Sequence, residues 1–240
     1  MLTGHSPRRR WFGESRSGFV AAVRVFFFPA VLFSVDAILL SANFWHHYGN
    51  MINATKGFSS FFRHFSWNGD LDGSIIELFG HFQLLVAAII LIRVWALQPR
   101  GRVYGTWALV FVVIIADDFL RLHERLSVKI DEGLCISDLS DAPFCSVLDL
   151  TFWGFCVMVM GPVLVVSHFR SGPAQRRGSS HLLAHVFVLS LFAVGVDGVN
   201  AAINGRSHDG IETAMVFLET SGELIVMTAL LLKVQKLSAS

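Results

Sequence analysis

The chain has 240 residues, of which 53% are hydrophobic and 15% charged, with a formal net charge of +1. An average soluble domain is roughly 25% charged, so this sequence cannot cover a soluble surface of the usual kind. Its positive mean hydropathy points to a membrane protein, and nothing in the charge pattern supports nucleic-acid binding.

Apolar runs of about 20 residues, long enough to cross a bilayer, recur near 19–42, 74–97, 104–124, 147–168, 181–203 and 213–235. The expected fold class is all-α: a polytopic bundle of six transmembrane helices forming one integral-membrane domain over residues 1–240. The first run follows a short basic segment, 1–18, that holds Arg8, Arg9, Arg10 and Arg16. It is too long for the 7–15-residue core of a cleaved signal, so it reads as a retained first span, kinked at Pro29. Between the first two spans, "NFWHHYGN" and "FFRHFSW" are rich in aromatic residues, as segments lying along a membrane interface are.

The stretch "NGDLDGSIIELFGH", residues 68–81, opens the second span. Asn68, Asp70 and Asp72 alternate like the start of an oxygen-ligand loop, but Phe79 stands where an EF-hand places its bidentate Glu. Ser74 and Glu77 fit a capping box. His81 lies one helical turn beyond Glu77, on the same face. The third span ends in "IIADDFLRLHERL", with Asp117, Asp118, Arg121, His123 and Glu124. Asp149 begins the fourth span, a position favoured by the helix dipole. The fifth carries Asp197, Asn200 and Asn204 at one end and His181 and His185, read as interfacial, at the other. The sixth carries Glu219 and Glu223.

Lys and Arg set the orientation. With the N-terminus inside, thirteen of the nineteen fall on inner segments, among them Arg93, Arg102, Arg170, Arg176, Arg177, Lys233 and Lys236. This positive-inside bias predicts N-in/C-in topology in a bacterial inner (plasma) membrane, with both termini cytoplasmic. Cys135 and Cys145 then share one outer loop in an oxidising periplasm, where a disulfide is expected.

The acids are more sharply sorted: of eighteen, Glu14 alone lies on the inner side. At 1.5 Å of rise per residue, Asp36, Glu77, Asp117, Asp118, Asp197 and Glu219 fall about 5–10 Å below the outer edge, and Glu223 about 15 Å. These seven acids face one cation at comparable depth, Arg121. An acid at the bilayer centre costs about 2.5 kcal/mol or more unless satisfied. The surplus therefore calls for protons, water or metal ions. The expected metal ligands are Glu77, His81, Asp117, Asp118, His123, Glu124, Asp197, Glu219 and Glu223. A carboxylate and imidazole set suits iron, manganese or zinc, and an all-oxygen set calcium.

Three functions fit this pattern. The first is a metal-dependent membrane enzyme acting on a lipid or other membrane substrate. The second is a proton- or cation-coupled transporter, and the third a non-catalytic subunit of a larger membrane complex. Expected partners are the lipid bilayer and other membrane subunits or a second copy.

Overall fold

The computed structural model describes residues 27–52, 57–69, 71, 73–98, 101–122, 125–126, 149–196, 199 and 209–239. Among them there is no strand. The helices are α1 (Phe28–Met51), the single turn α2 (Phe58–Phe61), α3 (Ile75–Leu97), α4 (Arg102–Leu120), α5 (Asp149–Phe169), α6 (Pro173–Ser190) and α7 (Asp209–Ala239). A 3-10 turn, Phe65–Trp67, precedes α3, and a π-helical turn, Leu191–Val196, extends α6. Six of these helices are long and apolar enough to cross a membrane. A long apolar helix lies at each of the six expected positions, but several of the ends move.

The largest shift is in α1. Among the described residues it begins at Phe28 and runs to Met51, nine residues beyond the expected end. Pro29 sits in the first turn of the described part of α1, and the residues before Phe27 on which the expected kink depends lie outside the described ones. The extension carries polar residues that find partners. The His46 Nδ1–H donates to the Phe62 carbonyl at 2.8 Å, and its Nε2 accepts from Asn50 Nδ2 at 2.9 Å. Asn50 Oδ1 in turn accepts from Arg63 Nε at 3.1 Å. This chain straps the aromatic loop to α1 and leaves Phe58, Phe61 and Phe65 exposed.

Ser74 caps α3, its hydroxyl accepting from the Glu77 amide at 3.2 Å. α4 stops at Leu120, because Arg121 turns left-handed with φ 50, four residues before the expected end. α6 starts at Pro173, eight residues earlier than expected, with the proline pre-set for a first turn.

α3 and α7 form the centre of the bundle. α3 packs on α4 and α7, while α7 also packs on α1, α6 and the π turn. Leu84, Leu91, Trp107, Phe111, Leu182, Leu230 and Val234 are nearly inaccessible at the junction of α3, α4, α6 and α7. Glycine permits one close approach there, since a Cβ on Gly222 of α7 would collide with the Phe192 ring. α5 is peripheral. It packs chiefly on α4, and its apolar window has no buried residue.

Candidate functional site

Between α5, which stands off, and the α3, α4, α6 and α7 core lies a cavity of ≈ 760 Å³. Along α4 it is lined from Trp107 to Asp118, a length of about 16 Å at helical rise. Its two ends differ in chemistry. The body is apolar, with Val110, Ile114, Trp153, Met160, Leu164 and Met227 on its walls. The end nearest the start of α3 is lined by Glu77, His81, Asp118, Arg121, Glu219 and Glu223.

His81 organises that end. It is buried on α3, and its Nε2–H donates to Asp118 Oδ2 of α4 at 2.6 Å. The other ring nitrogen, Nδ1, is buried without a hydrogen-bond partner. Glu77 Oε1, one turn back, is 3.7 Å from it. A carboxylate on one imidazole nitrogen fixes the ring and its tautomer, leaving the second nitrogen as a lone pair for a proton or a metal ion.

Glu77 holds two positions at once. Its Oε2 accepts the Gly73 amide at 2.5 Å while Oε1 looks toward His81. The cap read from the sequence therefore exists, and the carboxylate that builds it is also a wall of the cavity. On α7, Glu223 is close enough to Glu219, Asp118 and Glu77 to feel their charges.

The structure brings some of the nine expected residues together and not others. Glu77, His81, Asp118, Glu219 and Glu223 come together around one end of the cavity. Asp117 is fully buried on α4 and is not among the cavity-lining residues. His123, Glu124 and Asp197 lie outside the described residues. So do Asp70 and Asp72 of the candidate calcium loop, and Cys135 and Cys145 of the expected disulfide. Among the described residues no three His, Cys, Asp or Glu side chains are arranged to hold a metal ion.

Asp36 is a correction to the single acid layer. Because α1 runs further than expected, Asp36 lies deep in the bundle and meets different residues. The Thr228 hydroxyl donates to its Oδ2 at 2.7 Å, and Gln83 Nε2 approaches its Oδ1 at 3.5 Å. Gln83 Nε2 also donates to Thr228 Oγ1 at 2.8 Å. All three side chains are buried, so this triad ties α1, α3 and α7 together apart from the cavity.

Of the His181 and His185 pair, His181 is exposed and His185 half-buried, and neither lines the cavity. The Nδ1–H of His185 donates to the His181 carbonyl of its own helix at 2.7 Å. The sequence reading missed Gln83, Thr228 and Trp107. The first two were visible as lone polar residues in apolar runs. Trp107 carried no such signal: its indole N–H donates to Ser179 Oγ at 2.9 Å, and its ring lines the far end of the cavity.

A family model described as Domain of unknown function (DUF8692) matches residues 25–234. The chain belongs to that family. The match takes in all six long helices of this DUF8692 protein except the last few residues of α7. No curated protein and no solved structure matches it.

Proposed function

We propose that this DUF8692 protein is a membrane enzyme that draws an amphiphilic membrane substrate, such as a lipid, into the α3–α7 cavity. The polar end of the substrate meets His81 and the carboxylates, and its apolar part lies along Trp107, Ile114 and Met160. The observation that carries this reading is His81: a buried imidazole oriented by Asp118, with its second nitrogen unpartnered at the polar end of an apolar cavity. A histidine held this way is equipped to take a proton from a reacting group.

The same nitrogen, with Glu77, Glu219 and Glu223, is the proposed ligand set for a divalent ion. Iron, manganese or zinc suits a mixed imidazole and carboxylate set better than calcium does. Such an ion would supply Lewis-acid polarisation or an activated water. Ion binding would draw the carboxylates closer to His81, with Glu77 Oε1 as the oxygen that already faces the ring. The proposed setting is an inner (plasma) membrane, with both termini cytoplasmic and the acids in the periplasmic half.

Transport is the weaker reading. Val110, Ile114, Leu164 and Leu189 fill the stretch between the acids and the far end of the cavity, which gives a proton or cation no relay. The subunit reading would need cations from a partner to face the acids.

The test is metal content and substrate turnover in purified full-length protein. Mass spectrometry should find about one divalent ion per chain in the wild type and a loss in His81→Ala and Glu223→Gln. Incubation with total membrane lipid should yield a product that is absent with His81→Ala. A wild type without stoichiometric metal after supplementation removes the ion. A lipid profile unchanged by the wild type removes the enzyme.

A further inference from the structure

A second, smaller recess lies at the opposite end of the bundle. It measures ≈ 350 Å³ and sits between the start of α4 and the end of α5. Its walls are Arg102, Pro162, Val163, Val166, Ser167 and Arg170. The two arginines stand on different helices and are both exposed, and among the described residues neither has an acidic partner.

Their lack of counter-ions has a cause in the sequence. Arginines gather at this end of the bundle while nearly all the acids gather at the other. The neighbouring Arg176 is otherwise engaged: its guanidinium donates to the carbonyls of Ser171 and Phe169 and lies over the Phe169 ring. Ser167 donates to Leu164 O at 2.9 Å and accepts from Thr106 Oγ1 at 3.2 Å. Arg102 and Arg170 are thus the groups left to meet an anion in this recess. Below them the wall is apolar and open to lipid, for Val163 and Val166 are about half exposed.

Two guanidinium groups above an apolar channel match one kind of occupant. We propose that this recess binds an anionic phospholipid, with Arg102 and Arg170 on its phosphate and an acyl chain along Pro162, Val163 and Val166. Guanidinium forks suit phosphate oxygens, and basic recesses between spans are where anionic headgroups settle. The site is distinct from the His81 cavity, so either assignment stands without the other.

Native mass spectrometry of the full-length protein, released from nanodiscs of phosphatidylcholine and phosphatidylglycerol in equal parts, tests this. The wild type should retain phosphatidylglycerol in preference to phosphatidylcholine. Arg102→Gln and Arg170→Gln should each weaken retention about fivefold, from the attraction of one surface arginine for anionic lipid. Both changes are at exposed positions, and thermal melting in detergent checks that the fold is intact. Arg177→Gln, an exposed arginine that does not line the recess, should leave retention unchanged. An equal loss with Arg177→Gln would show a general charge effect and overturn the site. So would the absence of any preference for phosphatidylglycerol. Complete displacement by inorganic phosphate would reassign the recess to a soluble anion and equally overturn the proposal.

Discussion

His81 Nε2 and Asp118 Oδ2 lie 2.6 Å apart and join α3 to α4 across the polar end of the cavity. A hydrogen bond to a charged group contributes about 1.5–3 kcal/mol, and Asp118 is partly exposed, which favours the lower half of that range. Asp118→Asn should lower stability by about 1–2 kcal/mol. It should also free the ring to rotate, so that metal content or turnover falls further than stability does. Unfolding in detergent beside metal analysis separates the two effects. A variant that loses stability alone would make the pair structural.

Glu77 separates capping from ligation. Glu77→Gln keeps an oxygen for the Gly73 amide, so its stability cost should be about 1 kcal/mol or less. As a metal ligand, Gln is a much poorer donor than a carboxylate. Metal content should therefore drop in Glu77→Gln while the melting temperature barely moves. Unchanged metal content would confine Glu77 to the cap.

The Asp36, Gln83 and Thr228 triad should respond in a non-additive way. Thr228→Val strands a buried carboxylate and should cost about 1–3 kcal/mol. Replacing all three by apolar residues of similar size removes the stranded groups and should recover much of that loss. A double-mutant cycle between Asp36→Leu and Thr228→Val measures the coupling. Strict additivity would mean that the hydrogen bonds contribute little.

Two glycines predict opposite tolerances. A Cβ on Gly222 meets the Phe192 ring, whereas one on Gly80 meets the Met227 sulfur at 2.6 Å. A ring packed against backbone cannot yield easily, but a thioether has free torsions. Gly222→Ala should cost about 1–3 kcal/mol by overpacking, and Gly80→Ala distinctly less. Thermal melting of the two variants side by side checks the order.

Topology is open to direct measurement. Reporter fusions after Gln98 and Gln175 should report the cytoplasm, and fusions after Lys56 and Ser140 the periplasm, as the bias of Lys and Arg predicts. A cytoplasmic report at Ser140 would reverse the assignment of acids and arginines to the two faces.

The spans were legible because an apolar run of bilayer length has few other uses. Their ends were not. The residues from Asn43 to Tyr48 look interfacial, yet α1 continues through them because the Phe62 carbonyl and Arg63 satisfy His46 and Asn50. That is a tertiary effect invisible to local pattern. Depth was counted from the expected ends, so the error in α1 carried Asp36 into the wrong layer. Glu77, His81, Asp118, Glu219 and Glu223, which line the cavity, stand out in the sequence as ionisable residues in apolar runs, a strong signal because such residues are rare there. Gln83 and Thr228 escaped because neutral polar groups are common in spans, and Trp107 because an aromatic reads as packing. The cavity was out of reach of pattern altogether, since it exists only because α5 does not close on α7.

The triad joins residues made at very different times. Thr228 is made 192 residues after Asp36, which at about 5–20 residues per second is a delay of about 10–40 s. Gln83 arrives sooner, 47 residues on, but its own better bond is to Thr228. An isolated Asp in a helix centre costs about 2.5–3.5 kcal/mol on insertion scales. An α1 placed in a bilayer before α7 is made would carry that cost until Thr228 arrives. A chain cut short before Thr228 would leave Asp36 with only the longer Gln83 contact at 3.5 Å, without the 2.7 Å bond from Thr228.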